Sequence, residues 1–142
     1  MKAVVTPLLV LLCTKLFALD SNTEKLKAAL KAGNKVYVVA EKPVMVKYAS
    51  KKLRNSCWQI TQNLSEANFV LKFDGNRWFA HAEIFDPATK EQLYKTPTSN
   101  TMASMTFNAK KKVVKKIINK HIKPMCDEKF FDKLEFRAKD TF

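Results

Sequence analysis

The sequence predicts an α+β fold: a mostly antiparallel sheet of four or five strands with two main amphipathic helices packed on one face. Three observations lead there. Helical and strand periodicities succeed one another in the order α-β-α-β-β-β-β-α-(α), with the strand signals consecutive in the middle. Two turn signals, Asp74-Gly75-Asn76 and Asp86-Pro87-Ala88-Thr89-Lys90, join alternating apolar runs as hairpins. Residues 108–123 carry an apolar arc opposite a lysine arc, the pattern of a helix lying on a sheet. The 142 residues, 46% hydrophobic and 27% charged, suit one globular domain. Two glycines argue against a Gly-rich phosphate loop, a collagen repeat or a flexible linker.

The N-terminus reads as a leader. Lys2 gives a positive start, Ala3–Cys13 an apolar run broken only by Thr6 and Pro7, and Ala18 a small residue for cleavage. That run is too short for a bilayer, which needs ~20 residues. Leu16 is bulky for the −3 position, and a buried N-terminal element of a cytosolic protein is the competing reading. Leu12 before Cys13 is not the small residue a lipid-anchor motif requires. The expected organisation is a signal peptide over 1–18 and a single domain over 19–142, exported to the periplasm or secreted. Removing Lys2 and Lys15 lowers the net charge from +13 to +11. No later segment approaches the length of a membrane span.

Cys57 and Cys126 then remain. They could form one disulfide, closing about 69 residues and contributing ~4 kcal/mol on the chain-entropy model. They could equally be two buried thiols, because spacing alone does not bring the α-carbons within range. No CxxC, Cys/His cluster or HExxH occurs, which argues against structural zinc. No cofactor is implied.

Ser21-Asn22-Thr23-Glu24 is a capping box, with Leu26, Ala29 and Leu30 at helical spacing and Gly33 as a stop. A helix over 22–32 follows. Lys35–Ala40 is a β-branched strand, and Pro43 opens a helix over 43–55. That helix sets Met45, Val46, Ala49 and Leu53 against Lys47, Lys51, Lys52 and Arg54. Cys57–Thr61 is a short strand with Trp58 and Ile60 on one face; residues 63–66 are a loop. Residues 68–73 alternate as a strand. Residues 77–85 place Trp78, Ala80, Ala82 and Ile84 on one face and Arg77, Phe79, His81, Glu83 and Phe85 on the other. Phe79 and Phe85 are expected beneath the N-terminal helix or the tail. Residues 91–95 return as a strand with Leu93 inward, and 96–106 form a loop. In the final helix over 108–123, Val113, Val114, Ile117, Ile118 and Ile122 share one arc, Lys112, Lys115, Lys116 and Lys123 the other, with Lys120 at a flank. Asn108 caps it and Pro124 ends it; Lys110 and Lys111 project to the apolar side, so docking should begin after them. Asp127 caps a last short helix docked by Phe130, Phe131 and Leu134.

The run Lys35–Ala40, helix, Cys57–Thr61, then Ser65-Glu66-Ala67-Asn68-Phe69-Val70-Leu71-Lys72-Phe73 resembles small bacterial envelope accessory domains of the curli-channel-like and TolB-N-terminal-like kind. In those, strand, helix, strand and an Ala-Asp-Phe-Val-Leu strand precede a hairpin whose turn reads Asp-x-x-Thr-Gly. The resemblance spans about residues 35–123. Asn68 stands where Asp is usual and Lys90 where Gly is usual, and no lipobox is present. It implies assembly or binding, and it transfers no catalytic residue.

Chemistry has few candidates. His81 and Glu83 share a strand face near Asp86, a pair that could serve acid–base catalysis in a small hydrolase or form a cross-strand polar patch. His121 sits in the apolar arc near a helix C-terminus, where a satisfied structural histidine is common. No Ser/His/Asp, GxSxG or Walker pattern occurs. The expectation is a non-catalytic domain. Its binding candidates are Lys111, Lys112, Lys115, Lys116, Lys120 and Lys123, against a solvated helix face as the plain alternative. The partner is expected to be an envelope or secreted protein, acidic in character, or an anionic lipid or glycan surface. Nucleic acid is disfavoured because the basic helix has no arginine for bidentate base contacts. Asn63-Leu64-Ser65 is a glycosylation sequon that matters only in a eukaryotic secretory route.

Overall fold

The structure, a computed structural model, describes residues 22–76, 78–100 and 109–140, with side chains through residue 134. The expected leader over 1–18, the expected capping residues Ser21 and Asn108, Arg77 and residues 101–106 of the expected loop lie outside the described residues. Helix α1 covers 22–29; its Leu26, and Leu30 just after it, are buried. It stops short of residue 32 because the Asn34 side-chain amide donates to the carbonyls of Ala28 and Ala29, both at 2.9 Å, closing the helix end. Strand β1 (Lys35–Ala40), helix α2 (Pro43–Leu53) and strand β2 (Gln59–Thr61) follow. Pro43 occupies the first turn of α2, where its missing N–H costs nothing, and Met45, Ala49 and Leu53 are buried at four-residue intervals. After a 3-10 turn over Leu64–Glu66 come β3 (Phe69–Gly75), β4 (Phe79–Phe85), β5 (Gln92–Lys95) and the two-residue β6 (Ser99–Asn100).

The sheet order is β2-β1-β3-β4-β5, with β6 also on β4. Three of the pairings are antiparallel; the two that β1 makes, with β2 and β3, are parallel. Register puts Val38, Leu71 and Ile84 in one row and Phe73 and Ala82 in the next. With Val36, Phe69 and Ala80 these form one buried face. Small Ala80 and Ala82 leave room for α3 (Ala109–Ile117), which packs on β4 and along α2 with Val113, Val114 and Ile117 fully buried. Among residues 91–95, Tyr94 is in register with Ile84 and meets Phe130 edge-on at 6.4 Å. A register shift between Ile84 and Phe85 lets Leu93 reach the core as well.

The final basic helix is not α-helical through residue 123. It changes to a π turn over Ile118–Ile122 and then a 3-10 turn over Lys123–Cys126. Pro124 has no N–H and its ring conflicts with a regular preceding turn, which accounts for the change of pitch. Ile118 and Ile122 both remain buried through the wider turn. Docking begins at buried Ala109, and Lys111 is exposed, so the apolar side starts earlier than the lysine pattern suggests. Asp127 accepts from the Lys129 N–H at 3.0 Å and caps α4 (Glu128–Asp140), whose Phe130, Phe131 and Leu134 dock on the core.

On the other face of the sheet Phe79 is 46% exposed and Phe85 half-buried. α1 does not shelter Phe79, because it commits Leu26 and Leu30 to the core on the helix side.

Cys57 and Cys126 are disulfide-bonded, with α-carbons 5.9 Å apart. The Trp58 indole N–H donates to the Leu30 carbonyl at 2.7 Å, and its ring meets Phe69 edge-on at 5.5 Å. At the β3–β4 connection Gly75 holds φ +125°, and a Cβ there would run into the Phe79 carbonyl oxygen.

Two stability outcomes follow. Gly75→Ala should destabilise by more than ~2 kcal/mol, because strain and clash coincide, whereas Gly33→Ala, at φ +89° with open space around it, should cost about 1 kcal/mol; chemical denaturation compares them. Reducing the Cys57–Cys126 bond, or replacing both residues by serine, should remove about 4 kcal/mol from the unfolding free energy.

Candidate functional site

Charge is distributed unevenly along the chain. Residues 42–65 and 92–126 contain thirteen basic side chains and no acid, while the rest of the chain holds thirteen of each sign. The entire net charge of +13 therefore lies in two segments, one containing α2 and the other α3. The fold packs those two helices side by side. Lys47 and Lys51 of α2, Arg54 just after it, and Lys111, Lys112, Lys115, Lys116 and Lys120 of the α3 segment are exposed; Lys52 and Lys123 are half-buried.

The seam between the helices is where the two sets meet. Lys115 foremost, then partial desolvation, then Lys123, Lys111 and Lys51, hold the Lys52 ammonium below its ordinary value of 10.5. Cations from α2 and α3 thus share one electrostatic neighbourhood. Lys111 lies 5.9 Å over the Tyr48 ring, a contact that anchors it on α2, and Lys116 donates to the Asn100 carbonyl at 3.2 Å. The ion pairs Lys25–Glu91 and Lys35–Glu66 lie on α1 and at strand ends, away from the seam. The sequence suggested the α3 lysines; it did not show that Lys52 joins them. The shared absence of acids in both segments was the available signal.

His121 lies in the π turn, half-buried. Burial first, then Lys120 and Lys116, lower its pKa from 6.5, so the neutral imidazole is the folded form near neutrality. Beside α2, an open cavity of about 660 Å³ runs along β2, lined by Val38, Val46, Ser50, Arg54, Trp58 and Ile60 among others. Arg54 sets one wall of it next to the basic field.

His81 and Glu83 are brought together on the open sheet face, with Nε2 and Oε1 3.2 Å apart. Their side chains are 18% and 14% exposed. Asp86 does not join them: it accepts from the Ala88 and Thr89 N–H groups inside its own turn. Asp74 of β3 takes that place, in register with His81. Neither His81 nor Glu83 lines the 660 Å³ cavity. Among the described residues no helix is long and apolar enough to cross a membrane. No family model, curated protein or solved structure matches this chain.

His121 gives a pH-dependent outcome. With its folded-state value lowered, the unfolded chain binds more protons just below pH 6.5, so stability rises with pH through that window and is fully present above it. His121→Gln removes this contribution. The thermal midpoint of the native protein minus that of the variant should therefore grow between about pH 5 and about pH 7; a constant difference would exclude burial as the cause.

Proposed function

We propose that this chain is a non-catalytic, exported binding domain of the cell envelope or extracellular space that engages a polyanionic partner through the α2/α3 lysine field. The observation that carries the reading is the convergence of two acid-free helices, with Lys52 crowded by Lys115, Lys123 and Lys111. Clustered like charge raises the energy of the free protein, and a partner with dense negative charge relieves that repulsion as it binds. Lysine suits this role: each ammonium is a mobile point charge that accommodates irregularly spaced anions, whereas arginine would impose planar bidentate geometry. An acidic envelope protein, an anionic glycan and an anionic lipid surface all offer such charge. Export is supported by the leader pattern over 1–18 and by the bonded cysteines. The strand–helix–strand–hairpin layout that resembles envelope accessory domains supports the assembly role. The small-hydrolase alternative on His81 and Glu83 gains nothing from the cavity beside α2, which neither residue lines.

Heparin and anionic phospholipid vesicles serve as probes. Affinity for at least one should fall about tenfold or more between low and physiological salt. Lys52→Glu/Lys115→Glu should abolish most of that binding, while Lys129→Glu/Lys133→Glu on α4 leaves it within about twofold. Equal losses from both double variants, read by titration calorimetry, would reduce the effect to net charge and overturn the reading.

A further inference from the structure

We propose that Asp74, His81 and Glu83 form a binding site for a divalent transition-metal ion, Zn2+ being the ion to test, on the open face of the sheet. The antiparallel β3–β4 register sets Asp74 opposite His81, and the two-residue strand period returns Glu83 to the same face. One ligand atom from each lies within 4.8 Å of the others, and the His81–Glu83 pair is already at 3.2 Å. A tetrahedral zinc ion with bonds of about 2.0–2.2 Å separates its donors by roughly 3.3–3.5 Å. His81 and Glu83 meet that spacing as they stand. Asp74, exposed at the end of β3, closes the remainder by a side-chain rotation.

Donor chemistry selects the ion. One imidazole nitrogen with two carboxylates suits zinc and its neighbours in the first transition row, whereas calcium and magnesium prefer all-oxygen shells. The imidazole is what separates this group from an ordinary cluster of surface acids. Preorganisation is supplied by β4, which is paired on both sides, so His81 and Glu83 are held largely out of solvent before any ion arrives. Three protein donors leave at least one coordination position for water or a partner's group.

Affinity is limited from two sides. Lys72 of β3 and Lys95 of β5 are both in register with Glu83, and their charges oppose a dication. Those two charges lower the affinity expected of the site. It lies on the face of the sheet opposite α2 and α3, so its failure would leave the lysine-field reading standing, and the reverse also holds.

The test uses the oxidised full-length protein and zinc chloride, competed against a chromophoric chelator near neutral pH. The expected result is one equivalent bound with a dissociation constant on the order of 1–50 μM. His81→Ala and Glu83→Gln each weaken it at least about tenfold, and Asp74→Asn several-fold. His121→Ala leaves it unchanged. Imidazole NMR signals of the unmodified protein give a readout that needs no variant: zinc should shift His81 and not His121. Dissociation weaker than about 1 mM, retention of binding in His81→Ala, or a shift of His121 alone overturns the proposal.

Discussion

Two consecutive residues, Cys57 and Trp58, hold together parts of the chain distant in sequence. Cys57 is bonded to Cys126 at the end of the 3-10 turn after α3, and its carbonyl accepts from the Gly33 N–H at 2.7 Å. Trp58 reaches the other way, donating to the last carbonyls of the α1 region at Leu30 and resting its edge on Phe69 at the start of β3. A buried indole N–H without that acceptor would cost roughly 1–3 kcal/mol, so the α1 terminus is fixed by the ring as much as the ring is fixed by it. α1, β2, β3 and the end of the α3 segment thus share one node. The node matters because the α3 segment, residues 92–126, carries eight lysines and no acid. Their mutual repulsion opposes packing, and a covalent tie at its C-terminal end together with Val113, Val114, Ile117, Ile118 and Ile122 beneath it opposes the repulsion.

That balance explains why the charge can be concentrated where it is. The rest of the chain is neutral by formal count, with its acids beside its bases. A fold seeking only solubility would disperse the surplus; here it gathers on two helices anchored by buried Met45, Ala49 and Leu53 of α2 and Val113, Val114 and Ile117 of α3. The lysines therefore stand on rigid elements, with Lys111 held over Tyr48 and Lys116 on the Asn100 carbonyl. A surface fixed in this way presents its field in one direction.

Local patterns told most of the elements. The Lys35–Ala40 strand, the helix opening at Pro43, the hairpins at residues 74–76 and 86–90 and the Asp127 cap all follow from short-range sequence, and each stands within a few residues of its expected bounds. What was hidden depends on pairings distant in sequence. Nothing in Lys35–Ala40 says that both its neighbours run parallel to it. The π turn over Ile118–Ile122 was hidden because five apolar positions fit an ordinary helix equally well, and only the backbone of the folded chain reveals the wider pitch. Lys90 sits at φ +60°, a conformation that glycine adopts most readily, and nothing in the side chain announces it. For the open-face group, sequence proximity pointed from His81 to Asp86, whereas strand register selected Asp74, seven residues away in the other direction.

Strand β4 carries both faces of this arrangement, and its register decides both. Ala80, Ala82 and Ile84 face the helices; His81 and Glu83 face the open side. A slip of one residue would exchange the two sets, burying a histidine and a carboxylate under α3 and exposing the core. The segment that could slip is the return strand, because β5 pairs with β4 across a register shift and β6 pairs with it only at Phe79 and Ala80. Thr96 lies between the two. Its N–H donates to the Ala82 carbonyl at 2.8 Å, and its hydroxyl oxygen accepts from the Ala82 N–H at 2.9 Å while donating to the Pro97 carbonyl. Pro97 has no N–H with which to continue a ladder, so the threonine side chain supplies the hydrogen bonding that the backbone gives up at that point. Both polar groups of Ala82 are thereby locked to one buried residue. That lock keeps the small face of β4 beneath α3, and with it keeps the lysine field and the open-face carboxylate–imidazole group on opposite sides of the same sheet.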